Sequence, residues 1–421
     1  MSAHGYRQVK ISALSQGSDM TSSAAAFPYF PGVRLLHSPG PSHVPKAVLD
    51  AMTRQPMDMG DPRVDACVDA CEAGLKKLLK TQAADVFFYA ANGHGAWEAM
   101  IVNLLAPGQK VLIPGTGHFS ESWAIMAEAM GAIVIRTPYH EGYPIDMDAV
   151  AQILREDKQH EIVAVFAVHT DTASSTTSDI PALRNTINAT GHPALFVVDV
   201  VASLGAIPFE MDQWGINAVI GASQKGLMVP PGVGFCVADA RAMKVCENNP
   251  AQRFYWDWLR RRKGPSYSRF CGTAPQNLLF GMEAAFELLE REGVERVYAR
   301  HRALAGAVRA AVQSWSEASH LDFLCQVPEA RSDSVTAILV KPGIDPELIR
   351  KTAREKFQVM IAGGLGPFAG RVFRIGHLGD LNPAMILGCL AGVEAAMQSL
   401  GINVGNQGVR SAVEYLAKVE G

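Results

Sequence analysis

From residue 85 onward, short apolar runs alternate with amphipathic stretches. The runs DVFFYAA (85–91), KVLIP (110–114), AIVIR (132–136), IVAVFAV (162–168), ALFVVD (194–199), AVIGA (218–222) and VGFCVA (233–238) are apolar at consecutive positions. Continuous runs, rather than alternating ones, are the mark of strands covered on both faces. Between the first two, Trp97, Met100, Ile101, Leu104 and Leu105 recur at helical spacing and predict a helix with one core-facing stripe, stopped by Pro107 and Gly108. Another helix is predicted to open at Asp146 as its N-cap, with Val150, Ile153 and Leu154 on one face. Strand–helix alternation of this kind specifies an α/β fold: a mostly parallel, seven-stranded sheet sandwiched by helices, with right-handed crossovers.

After about residue 280 the texture changes. A long helical run (NLLFGMEAAFELLEREGVERVYARHRALAGAVRAAVQSW) is followed by fewer strands, VTAILV (335–340) and RVFRIG (371–376), and then by helices. The chain therefore reads as a flexible tail over residues 1–26, a large domain over 27–289, and a smaller α+β C-terminal domain over 290–421. The first ~20 residues of the large domain are expected to pack toward the small one.

Composition narrows the function. The 421 residues carry 38 Lys+Arg against 41 Asp+Glu, a formal charge of −3, so the electrostatic footprint of a nucleic-acid binder is missing. With 48% hydrophobic and 19% charged residues, neither disorder nor a coiled coil fits. No apolar run reaches the ~18 residues of a membrane span, and the polar N-terminus has no signal-peptide core. The seven cysteines are scattered without a CxxC pair, which points to reduced thiols and a cytoplasmic protein, with Cys67 and Cys71 as small core residues. The twelve histidines show no HExxH, and no metal site is expected.

In open parallel sheets ligands bind at the carboxyl ends of the strands, so the residues just past each strand carry the information. Asp199 ends ALFVVD, Lys225 sits in the turn GASQKG, Asn92-Gly93-His94-Gly95 opens a helix, His118-Phe119 follows the second strand, and His169-Thr170-Asp171-Thr172 follows the fourth. A pyridoxal phosphate site needs an amine for the aldehyde, a carboxylate for the pyridine nitrogen, an apolar ring to stack, and backbone N–H groups at a helix start for the phosphate. Lys225, Asp199, Phe119 and the Gly93–Gly95 turn offer one of each. Taken singly, Asp199 reads equally well as a helix N-cap, Lys225 as a solvated loop lysine, and Phe119 as plain core. Two other chemistries stay open on these residues. Gly115-x-Gly117 after a strand is part of a dinucleotide fingerprint, although Ser120 replaces the third glycine and Arg136 stands in place of the ribose-binding acid. Ser223-x-Lys225 could be a serine–lysine hydrolase pair, although no GxSxG elbow accompanies it.

The motifs together resemble the class V, fold-type I pyridoxal-phosphate aminotransferases of the alanine/serine–glyoxylate branch. The likeness runs through SPGPSHVPKAVLDAM (38–52), NGHGAWEAMIVNLLAPG (92–108), VHTDTASSTTSDI (168–180), LFVVDVVASLGA (195–206), MDQWGIN (211–217), GASQKGLMVPPGVG (221–234) and FRIGHLGDLN (373–382). The final stretch, RIGHLGDLNPAMILGCLAGVEAAM (374–397), is most similar to serine–glyoxylate enzymes. The resemblance implies pyridoxal 5′-phosphate as cofactor and ping-pong transfer of an amino group from serine or alanine to glyoxylate. Donors such as ureidoglycine or pyridoxamine, or pyruvate as acceptor, are its alternatives. Lys225 would carry the internal aldimine and move the proton, and Asp199 would pair with the pyridine nitrogen. Thr172 would bond near the ring hydroxyl, Phe119 would stack, and Gly93, His94 and Gln224 would hold the phosphate. Thr273 would reach the phosphate of a neighbouring subunit in a homodimer with composite sites. Arg374 would pair with the substrate carboxylate, and Ser38, Pro39 and Gly40 would line the entrance. The chain departs from the family pattern at Phe270 (a tyrosine in relatives), at Ser175 (commonly glycine), at Met59-Gly60-Asp61-Pro62 near the substrate mouth, and at Asn92 and His94.

Overall fold

The computed structural model of the protein describes residues 31–318 and 321–419, so the expected tail over 1–26 lies outside the described residues. A short strand β1 (Leu35–His37) leads through the helix Pro62–Leu79 to β2 (Asp85–Ala91), β3 (Lys110–Ile113), β4 (Ile133–Arg136) and β5 (Ile162–Val168). A two-residue ribbon, β6 (Thr170–Asp171) and β7 (Thr176–Thr177), precedes β8 (Leu195–Asp199), β9 (Ala218–Ala222) and β10 (Gly232–Ala238). The last part of the chain adds β11 (Leu321–Phe323), β12 (Val335–Val340), β13 (Val359–Gly363) and β14 (Val372–Gly376).

Seven strands form one sheet in the order β2-β10-β9-β8-β5-β3-β4. β10 runs antiparallel to both its neighbours, and the other pairs are parallel. The continuous apolar runs divide by parity, as successive side chains on a strand face opposite ways. Phe88, Val165, Val198, Val219 and Phe235 enter one core, while Phe87, Phe166, Val197, Ile220 and Cys236 enter another across the sheet. AIVIR departs from this rule, because β4 is the edge strand and Ile133 is exposed.

Helix ends follow local chemistry. Asp146 caps Met147–Glu156 by accepting from Ala149 N at 2.9 Å, and Asp179 does the same for Ile180–Thr190 through Ala182 N. The long helical run is two helices, Gln276–Glu292 and Val294–Ala318, broken at Gly293 with φ +87°. Cys67 and Cys71 are buried free thiols on the helix Pro62–Leu79. Among the described residues no helix is long and apolar enough to cross a membrane.

The second sheet has the order β1-β13-β14-β12-β11. Phe373 and Ile375 of β14 enter a core shared with the helices Val294–Ala318 and Pro383–Ser399. The opposite face, with Ala337 and Val372 and the nearby Phe368, meets Ala173 from the loop after β6 and Phe119 from the first turn of the helix His118–Ala129. By the same parity Arg374 belongs to that opposite face. Its cross-strand neighbours are Ala337 and Ala362, whose small side chains leave room for it.

One close approach in the larger sheet sets how the chain enters the Lys225 turn. A Cβ at Gly221 in β9 would lie 2.1 Å from Phe235 Cζ, so only glycine lets β10 close against the strand that leads into that turn. Gly221→Ala should cost about 1–3 kcal/mol through overpacking. A lowered melting temperature, compared with Ile133→Ala at an exposed position of the edge strand β4, is the check.

Candidate active site

Because β10 is antiparallel to both β2 and β9, those two strands point the same way, and so do β3, β5 and β8. All five deliver their carboxyl ends to one edge. The order reverses beside β5, because β4 lies beyond β3 while β8 and β9 lie on the other side. That is the switch point at which a doubly wound sheet opens a crevice. A cavity of about 290 Å³ lies there, lined by residues that include Gly40, Asn92, Gly93, His94, Trp97, Phe119, Thr170, Thr172, Asp199, Val201, Gln224 and Lys225.

Asp199 closes a strand in which every residue is buried, and its own side chain is 4% exposed. Burial drives its pKa up to about 7, against two hydrogen bonds that favour the charged form. Oδ1 accepts from Val201 N at 2.7 Å and Oδ2 from Trp97 Nε1 at 2.8 Å. Lys225 is pushed the other way. Burial and the charge of Arg374 lower its pKa to about 8, while Asp199 and Asp171 pull it up. Its ammonium donates to the Pro39 carbonyl oxygen, and a Cβ at Gly40 would sit 2.7 Å from Nζ, so that position admits no side chain. The turn itself is pinned by Ser42, whose hydroxyl donates to Lys225 O at 2.8 Å and whose N–H donates to Gln224 O at 3.1 Å.

Around this pair the cavity offers two kinds of surface. Phe119 and Val201 are apolar, and the helix Gly93–Leu104 begins at its wall with Asn92 as N-cap, accepting from Gly95 N at 3.2 Å. First-turn N–H groups, at Gly93 and His94, have no intrahelical partners. Gln224 Oε1 is buried without a partner, and turning the amide over presents an N–H donor at the same place. This set fits a flat pyridine ring bearing an aldehyde and a phosphate: an amine, an acid, apolar ring contacts and anion-binding donors in one crevice.

Arg374 is 5% exposed and reaches the site from β14. Nε donates to Gly363 O at 2.7 Å and Nη1 to Thr172 O at 2.9 Å, while burial lowers its pKa to about 10. Both bonds go to carbonyls, and among the described residues no carboxylate pairs with it, which leaves the guanidinium charge for a substrate carboxylate.

The structure thus brings Lys225, Asp199, Gly93, His94, Phe119, Thr172, Gln224 and Gly40 to one cavity, with Arg374 behind Thr172 and Pro39 on Lys225. Ser38 is adjacent, its hydroxyl donating to Gly40 O. Thr273 is not brought in; it is exposed, and its hydroxyl lies against Met59 Sδ at 3.3 Å. The residue reading missed Trp97 and Asp171. Trp97 satisfies the helix stripe, which concealed its bond to Asp199. Asp171 is fully buried and accepts from Phe119 N at 2.8 Å, Ser120 N at 3.4 Å and Ala173 N at 2.9 Å. Asp171 follows two polar residues, His169 and Thr170, and so lacks the contrast that marked Asp199 at the end of an apolar run.

The two other chemistries lose their footing here. Asp171 occupies the N-terminus of the helix His118–Ala129, where a dinucleotide pyrophosphate would have to sit. The Ser223 hydroxyl is fully buried and donates to Pro230 O at 2.7 Å.

Comparison with known proteins agrees with this geometry. The family model for aminotransferase class-V matches residues 34–367. A serine–glyoxylate aminotransferase of Methylorubrum extorquens is 38% identical over 92% of this chain and 96% of its own length. An L-aspartate–glyoxylate aminotransferase of Paracoccus denitrificans is 40% identical over 90% of this chain and 94% of its own. The crystal structure of ureidoglycine–glyoxylate aminotransferase from Bacillus subtilis superposes with a TM-score of 0.84 at 25% identity, covering 93% of this chain and 100% of that one. The crevice at the carboxyl edge of its sheet and these matches give one conclusion: the chain belongs to the class-V aminotransferases.

Proposed function

We propose that the protein transfers the amino group of a small amino acid, serine or alanine, to glyoxylate, giving glycine and hydroxypyruvate or pyruvate, with pyridoxal 5′-phosphate held at Lys225. The observation that carries this reading is the meeting of Lys225, Asp199, Phe119 and the Gly93–His94 helix start in one cavity, with the unpaired Arg374 beside it. Relatives named for serine and aspartate donors share glyoxylate in their names, which supports the acceptor more firmly than the donor.

When bound, pyridoxal phosphate supplies an electron sink for the carbanion at the substrate's Cα. The chain's own groups do the rest. Gly93 and His94 N–H and the Gln224 amide would hold the phosphate, while Phe119 and Val201 would cover the ring. Asp199 would serve the ring nitrogen, and Thr172 the ring hydroxyl. Arg374 takes the carboxylate of amino acid and oxo acid alike, so both half-reactions share one place. Lys225 Nζ, in its neutral form, would take the Cα proton and return it on the other side of the transfer. A proton carrier works best with a pKa near the working pH, and about 8 meets that need.

In the same reading the active unit is a cytoplasmic homodimer, with the large domain over 27–289 holding the cofactor and 290–421 forming the small domain. Thr273 lies outside its own cavity and would serve the partner's. Phe254, Tyr255, Leu259 and Tyr267 on the same stretch are exposed apolar side chains that a second copy would cover. The free cysteines fit a reducing compartment.

Serine, alanine and aspartate offered in turn with glyoxylate should give glycine fastest with one of the first two. Lys225→Ala should bind pyridoxal phosphate yet lose multiple turnover. Steady-state activity in that variant, or aspartate as the preferred donor, would defeat the corresponding part of the assignment.

Arg374→Ala should weaken amino-acid and oxo-acid binding together, by about tenfold or more. Damage to only one half-reaction would break the shared-site idea.

In the cofactor-free protein, acylation of Lys225 followed by mass spectrometry should have its midpoint near pH 8. Asp199→Asn removes a charge that favours the ammonium and should move the midpoint down. Arg374→Ala removes one that disfavours it and should move the midpoint up.

A further inference from the structure

Asp199 has two protein donors, and they differ in kind. Val201 N–H belongs to the backbone two residues on and would be present whatever the side chain there. The other is the indole N–H of Trp97, from a separate helix 102 residues away in sequence. An indole is a donor only, cannot ionise, and cannot turn its N–H without moving the whole ring. Here the ring is held. It stacks on Trp123 at 5.6 Å and 11°, meets Phe119 edge-on at 6.2 Å, and is covered by His94 at 4.6 Å. Trp123 in turn stacks on Phe166 of β5 at 4.7 Å. An aromatic column from the centre of the sheet therefore fixes the direction from which Asp199 Oδ2 receives its hydrogen bond. The helix stripe needs only an apolar side chain at this position, and leucine would satisfy it.

We propose that Trp97 is a positioning residue: its indole N–H sets the orientation and the charge of Asp199, and through Asp199 the protonation of a pyridine nitrogen bound in the cavity. The inference rests on the pyridoxal phosphate reading for its last step only. A hydrogen bond from an N–H to a carboxylate favours the ionised acid. Without it, Asp199 is the stronger base, and a proton shared with the ring nitrogen moves toward the carboxyl. The ring then withdraws less charge from Cα, so turnover falls while the carboxylate site at Arg374 is untouched. The charged groups facing Asp199 are Lys225 from the turn after β9 and Asp171 from the strand after β5. His94 packs on the Trp97 ring and lines the same cavity, and His169 N donates to the Asp199 carbonyl.

The test uses Trp97→Phe, which keeps a ring in the column, beside Trp123→Phe, which trims the same column at a residue whose Nε1 has no partner. With nitrogen-labelled pyridoxal phosphate bound, Trp97→Phe should move the ring-nitrogen resonance toward the unprotonated position and shift the pH transition of the cofactor's absorbance by about one unit. It should also lower kcat by about tenfold with KM for the amino acid unchanged. Trp123→Phe loosens the column but leaves the Trp97 N–H in place, so it should move each of these readouts by clearly less. Equal effects from the two variants, or no change of resonance in Trp97→Phe, would overturn the proposal. Should Trp97→Phe not fold, the cofactor-free wild-type chain still decides. One of its six tryptophan indole N–H resonances should follow a transition near pH 7 that Asp199→Asn abolishes, and the lack of any such resonance rejects the hydrogen bond. If the wild-type chain takes up no pyridoxal phosphate, the functional reading fails, and this titration stands apart from it.

Discussion

Taking charge out of water at the carboxyl edge of the larger sheet is the constraint on which the rest of the site depends. In water the two groups titrate near 3.8 and 10.5; in the fold, Asp199 rises to about 7 and Lys225 falls to about 8. Desolvation is the first cause of both shifts, and it acts in opposite directions because it disfavours each group's charged form. A fold that merely tolerated these side chains would have left them solvated. This one brings an acid and an amine close enough in proton affinity that both can exchange protons near neutrality, the condition for general acid–base work.

Such a balance needs outside support, and the second sheet supplies it. Arg374 has its place by strand parity, with alanines on both neighbouring strands. It lowers the pKa of Lys225 through charge while being tied to Thr172 O, so the arginine that tunes the lysine is also fastened to the loop that borders the cavity. Phe119 is controlled from a third direction. Its backbone N–H is held by the buried Asp171, whose own pKa is raised by burial and restrained by N–H groups at Phe119, Ala173 and Ser120. Four buried ionisable groups, Asp171, Asp199, Lys225 and Arg374, thus come from four segments of chain, and the charges of the other three act on Lys225.

The sheet was legible in the sequence because its strands are apolar on both faces, and a run such as IVAVFAV has one reading at that length. The short strands were not. β1 is three residues ending in a histidine, β11 is three, and β13 follows Gln358 in the left-handed conformation, so their pairing is decided by partners distant in the chain. Within the site, Lys225 and Asp199 announced themselves as charges where apolar or turn residues were due. Trp97 did not, since periodicity reports which side of a helix is buried and says nothing of where an indole N–H points. Asp171 stands in a run of polar residues, His169 to Thr172, where one more polar side chain gives no contrast, whereas Asp199 ends an unbroken apolar run.

The departures from the family pattern have local physical content. Ser175 has a φ of +59°, a conformation that favours glycine. The serine is held there by its N–H to Asp171 O and by Ser332 N donating to its carbonyl. Asp61-Pro62 begins the helix Pro62–Leu79, with Asp61 accepting from Arg63 N at 2.9 Å and proline at the first helical position, so that segment serves as a helix start. Phe270 is 2% exposed and stacks on Phe88 at 6.4 Å and 5°. A tyrosine hydroxyl at this buried ring would have to find a partner, whereas phenylalanine buries with no such demand. The segment that carries Thr273 does not depend on that hydroxyl for its place. Arg261, 1% exposed, donates through Nη1 to Phe88 O and Arg269 O, and the Arg269 guanidinium bonds Asp69 and Glu72 of the helix Pro62–Leu79. With phenylalanine at 270, the backbone of this segment is held by the two arginines and needs no phenolic hydroxyl for its place.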